Sequence, residues 1–131
     1  MGYVVAVILF LMAALATAFF LLAKKIHKED KGLFLLSLGW GLIILQNMFS
    51  TTAHFRSMLC QTFVMDIPKG ILYAGGITSS ILEFVVVLKI FETKEMFQEK
   101  RMTETIFFLL AFMANYVASA YFLTTVPMTC L

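Results

Sequence analysis

Long apolar runs alternate with short polar stretches along the whole chain. The first run, 2–23, contains no charged residue, and a second covers 33–54, a third 67–89 and a fourth 105–126. About 20 apolar residues are enough for a helix to cross a bilayer. The pattern therefore predicts an all-α integral membrane protein, a four-helix transmembrane bundle with short loops that forms one four-span domain over 1–131. The basic cluster Lys24, Lys25, Lys28 and Lys31 follows the first run instead of preceding it. A cleavable signal peptide has the opposite order, so the first helix is expected to be retained.

Within the runs, small and polar residues recur at helical spacing. Ala6, Ala13, Ala14, Thr17 and Ala18 predict a packing face on the first helix. The second carries Gly39, Trp40 and Gly41, then Gln46 and Asn47, with Asn47, Ser50 and His54 on one face. Gly76, Ser80 and Glu83 fall at i, i+4 and i+7 of the third, so they share a face as well. In the fourth, Ala111, Asn115 and Ala118 or Ser119 make a similar stripe, and Pro127 ends it. Such stripes let membrane helices approach closely and hydrogen-bond across the interface.

The connections differ in character. Residues 55–69 are expected to lie along the membrane surface, with Asp66 and Pro68 opening the third helix. Residues 90–104 hold Glu92, Lys94, Glu95, Glu99, Lys100 and Arg101, which predicts a solvated, charged extension of the third helix.

Composition supports the membrane assignment. Of 131 residues, 61% are hydrophobic, more than a soluble core of this size can hide. The formal net charge of +2 gives no reason to expect nucleic acid as a partner. The placement of the charges says more. Eight of the ten Lys and Arg residues lie in or beside the first and third connections, against Arg56 and Lys69 in the second. The positive-inside rule then puts both termini outside, in a multi-pass protein of the cell membrane. Cys60 and Cys130, the only cysteines, would both face the oxidising side. A disulfide between them is one expectation; two unrelated thiols are the other, because sequence fixes no distance.

Glu83 is the conspicuous chemical group. An ionised carboxylate near the bilayer centre costs about 2.5 kcal/mol or more, so it must be protonated, paired or wet. Gln46, Asn47, Asn115 and Ser80 are its expected mates, in a cross-link between helices. A proton- or cation-coupling group is the competing role. His54, Met58 and Met65, with Met128 and the two cysteines, form a soft-ligand set that suits copper(I), although methionine also fills apolar gaps without any metal. No catalytic constellation and no cofactor motif is present in the sequence.

No family resemblance is found: the small multidrug transporters share the length, the four spans and one buried glutamate, but their acid lies in the first span. Here the first span is uncharged, and the likeness is architectural. The leading expectation is a small non-catalytic subunit of a larger membrane enzyme complex, respiratory or oxygenase-like. Its partners would be the lipid bilayer and other transmembrane subunits. A homo-oligomeric transporter or channel using Glu83, and an outward copper-handling protein, are the alternatives.

Overall fold

The computed structural model describes residues 2–59 and 69–125. Four long helices account for nearly all of them: α1 (Gly2–Ile26), α2 (Lys31–Leu59), α3 (Lys69–Glu92) and α4 (Met102–Thr125). All four are long and apolar enough to span a membrane. No strand occurs among the described residues.

The bundle is organised around α2, which packs closely along α1 and α3 and more loosely against α4. Bare backbone on α2 and α3 makes this possible. Gly41 accepts the ring of Phe20 from α1, Gly39 accepts the buried ring of Phe108 from α4, and Gly75 on α3 accepts the ring of Phe49 from α2. A side-chain carbon at any of the three would stand closer to a ring atom than van der Waals contact allows. Gly76 is different: a Cβ there would lie 3.9 Å from Phe49 Cβ, an ordinary contact. The notch in α3 is therefore Gly75, one residue before the position the sequence pattern favours.

On α1 the buried positions are Leu9, Ala16 and Ala23, a seven-residue spacing that keeps one seam against α2. Ala6, Ala14, Thr17 and Ala18 are exposed, and only Ala13 is half-buried. The expected small-residue packing face thus points largely away from the bundle. Spacing identified a small face, but the side that meets α2 follows the seven-residue seam.

Asp30 ends the α1–α2 turn and caps α2, its Oδ1 accepting from Leu33 N–H at 3.1 Å. The helix then continues to Leu59, so residues 55–59 belong to α2 and not to a surface connection. Neither Gly nor Pro interrupts that stretch, and nothing local stops the helix. The expected helix entry at Asp66 and Pro68 lies outside the described residues.

Residues 90–104 do not extend α3. That helix stops at Glu92, Thr93 is extended, and a short 3-10 helix (Lys94–Phe97) turns the chain back. Thr93 Oγ1 donates to Lys89 O at 2.7 Å. Phe97 stacks on Phe91, and Met96 is fully buried against Gly32. A straight charged helix would leave Met96 and Phe97 in water; burying them outweighs the continuous helix. Arg101 pairs with Asp30 and, at 3.3 Å, with Glu104, which ties this turn to the start of α2.

Candidate functional site

Polar side chains from α2, α3 and α4 converge on Glu83. Glu83 sits at the midpoint of the apolar part of α3, Tyr73–Glu92, and is 0% exposed. Helical spacing explains who meets it. Ser80 and Glu83 are three apart on α3 and face the same way, Gln46 reaches them from α2, and Asn115 and Tyr116 come from α4.

The bonds form a chain across the three helices. The Gln46 amide fits in either orientation. With one, Asn115 Nδ2 donates to Gln46 Oε1 and Gln46 Nε2 to Ser80 Oγ, each at 2.8 Å, and Ser80 Oγ donates in turn to Gly76 O at 3.0 Å. Turned over, Gln46 Nε2 donates to the Glu83 carboxyl and Oε1 accepts from Ser80 Oγ at 2.8 Å. Tyr116 O–H donates to Ser80 O at 3.2 Å and stands 3.5 Å from Glu83 Oε2, at the limit of a hydrogen bond. The amide end of Gln46 abuts the Glu83 carboxyl directly. Beside this layer the rings of Phe84, Phe112 and Tyr116 pack with centroids 4.8–5.4 Å apart and close the α3–α4 side. Leu42 and Ile43, one helical turn from Gln46, and Val86 and Val87, one turn from Glu83, are buried. The polar cluster is thus enclosed by apolar groups, where each hydrogen bond counts for more than in water.

Sequence reasoning named four of these residues, Glu83, Gln46, Ser80 and Asn115, and the structure brings them together. Asn47 does not join them. Its Nδ2 donates within its own helix to Ile43 O at 2.8 Å; one residue along a helix is a turn of about 100°, which carries it off the face Gln46 occupies. Gly76 contributes its carbonyl and no close approach. Tyr116 joins the cluster without having stood out in the sequence. The signal for it is a tyrosine inside an apolar span, where a buried O–H needs a partner.

No basic group is paired with Glu83 among the described residues; the ion pairs lie at the charged end of the bundle, around Lys89 and Arg101. Nor is there a cluster of three His, Cys, Asp or Glu residues among them. The soft-ligand side chains His54, Met58, Met65 and Met128, and the Cys60–Cys130 pair, lie outside what the structure describes. The arrangement at Glu83 can lock three helices together and can hold a proton. No known protein family, curated protein or solved structure matches the chain.

Proposed function

We propose that this protein is a small non-catalytic subunit of a larger integral membrane enzyme complex. The observation that supports the reading most is the division between inside and outside. Within the bundle the intramembrane polar groups Glu83, Gln46, Asn115, Ser80 and Tyr116 are spent on one another. On the outside, α1 packs substantially against α2 alone and leaves Ala6, Ala14, Thr17 and Ala18 exposed. Small residues at helical spacing suit another transmembrane helix, which gains van der Waals contact by close approach. Lipid chains need no such face.

The orientation belongs to the same proposal. Lys24, Lys25, Lys28, Lys89, Lys94 and Lys100 are all exposed. They cluster at the ends of α1, α3 and the 3-10 turn, and by the positive-inside rule this supports a cytoplasmic position for that side, with both termini outside in the cell membrane. The test is purification of the tagged chain from its own membranes in mild detergent, followed by native mass spectrometry. A fixed stoichiometry with larger membrane subunits supports the proposal, provided Ala14→Phe on the outer face of α1 disrupts it. A homodimer or homo-oligomer alone, unaffected by Ala14→Phe, would favour a transporter built around Glu83.

A further inference from the structure

We propose that Glu83 is a proton site whose occupancy sets the orientation of two amides, Gln46 and Asn115, so that one proton reverses a hydrogen-bond chain running through three helices. The proposal does not depend on the chain being a subunit.

The geometry at the Gln46 amide carries the argument. One end of the Gln46 amide lies against the Glu83 carboxyl, 3.0 Å from Oε1 and closer to Oε2, and either its oxygen or its nitrogen can occupy that end. With the oxygen there, Asn115 Nδ2 donates to Gln46 Oε1 and Gln46 Nε2 donates to Ser80 Oγ. Two acceptors cannot share such a contact. A proton on the carboxyl resolves it, because Glu83 O–H then donates to Gln46 Oε1 and every member of the chain has a partner.

An ionised Glu83 needs the opposite arrangement. The two ends of an amide are nearly equal in size, and Gln46 fits the same space turned over. Its Nε2 then donates to the carboxylate, and its Oε1 accepts from Ser80 Oγ at 2.8 Å. The turned Nε2 also meets Asn115 Nδ2 at 2.8 Å, a clash of two donors. Asn115 must therefore turn as well and present Oδ1. Ser80 gives up its bond to Gly76 O to serve Gln46, and Tyr116 O–H, already 3.5 Å from Glu83 Oε2, can leave Ser80 O for the carboxylate. Loss of one proton to water thus inverts donors and acceptors on α2, α3 and α4, and adds one negative charge to the cluster.

The proposed ligand is a proton. Glu83 is the one carboxylate of the cluster, and its contact with Gln46 is a hydrogen-bond contact. Among the described residues no group of three His, Cys, Asp or Glu side chains is placed to hold a metal ion. Against the Glu83 carboxyl stand Gln46 from α2 and Tyr116 from α4, with Asn115 of α4 behind Gln46 and Ser80 on the same face of its own helix. Among the described residues Tyr116 is the one titratable partner recorded, and no charged side chain is. α4, which delivers Asn115 and Tyr116, is also the helix held most loosely by α2. It is the element through which the state of the proton would be felt.

The experiment is infrared difference spectroscopy of the full chain in lipid vesicles, titrated from acid to alkaline pH, with a glutamine-selective carbon-13 label. The sequence has three glutamines, Gln46, Gln61 and Gln98. A Gln61→Met, Gln98→Glu background leaves Gln46 as the only labelled one without touching the cluster. The expected result is loss of a protonated-carboxyl band and a shift of the labelled amide band at one common midpoint. Glu83→Gln should abolish both changes. Gln46→Met, which removes the donor that serves the carboxylate, should move the carboxyl midpoint to more alkaline pH, by about tenfold in proton affinity. Loss of the carboxyl band with no change in the labelled amide would overturn the relay. A carboxyl band that is absent at every pH, or unchanged by titration, would overturn the proton site itself.

Discussion

The contact between α2 and α4 rests on the bare backbone of Gly39, and Gly39→Ala puts a methyl group there. A Cβ at Gly39 would lie 2.6 Å from Phe108 Cε1 and nearer still to Cζ, where ordinary contact begins at 3.4 Å. Phe108 is 0% exposed and is held edge-on by Trp40 with ring centroids 5.5 Å apart. Its ring cannot step aside without disturbing that pair, so α4 must move outward as a body. Overpacking of this kind costs about 1–3 kcal/mol, against which the better helix propensity of alanine returns about 0.5–1 kcal/mol. A net loss of up to roughly 2.5 kcal/mol is expected. Reversible unfolding in mixed micelles would measure it, with Trp40, the only tryptophan, as a probe inside the contact. Gly76→Ala is the control: with 3.9 Å of clearance it should be neutral or stabilising by up to about 1 kcal/mol. Equal stability of Gly39→Ala and wild type, with Trp40 emission unmoved, would refute the account of how α2 holds α4.

Three further outcomes are expected. On a cysteine-free background, thiol reagents should reach Lys28→Cys and Gln98→Cys only after permeabilisation, and Thr62→Cys from outside; labelling of Lys28→Cys in intact cells would reverse the orientation. Non-reducing peptide mass spectrometry should find Cys60 joined to Cys130, and opening that long loop should lower stability by up to about 4 kcal/mol; complete alkylation without reductant would exclude the bridge. Met96→Ala should remove about 2–5 kcal/mol, as for a buried methionine, and expose residues 93–101 to proteases on the charged side. Unchanged protease resistance would mean that Met96 does not pin the turn.

The four spans were legible because an uninterrupted apolar run of the right length has few other fates. Their ends were less so. α2 outlasts its apolar stretch because backbone hydrogen bonding continues until something breaks it, and hydropathy does not see that. The 90–104 connection misleads for the converse reason: its charges look like a solvated helix, while Met96 and Phe97 are buried or stacked beneath the bundle. Within the membrane, periodicity located the right face of α3, with Ser80 and Glu83 both on it. It could not choose between neighbours 100° apart, Gln46 against Asn47 or Gly75 against Gly76, because the rotation of each helix is fixed by its partners' rings. Tyr116 was hidden by its company among phenylalanines.

Under the proposed role as a non-catalytic subunit, the Glu83 cluster serves to hold helices together. Glu83→Gln tests it most directly, scored for recovery of the intact complex in mild detergent and for pH-dependent flux across vesicles containing that complex. Glutamine keeps the shape and can donate to Gln46 Oε1 as the protonated acid does, so assembly should match wild type and any flux through the complex should persist. Glu83→Leu should instead strip partners from Gln46, at a cost of about 1–3 kcal/mol, and lower recovery. Full assembly of Glu83→Gln with its flux abolished would contradict the account, because only a group that must ionise in each turnover behaves that way.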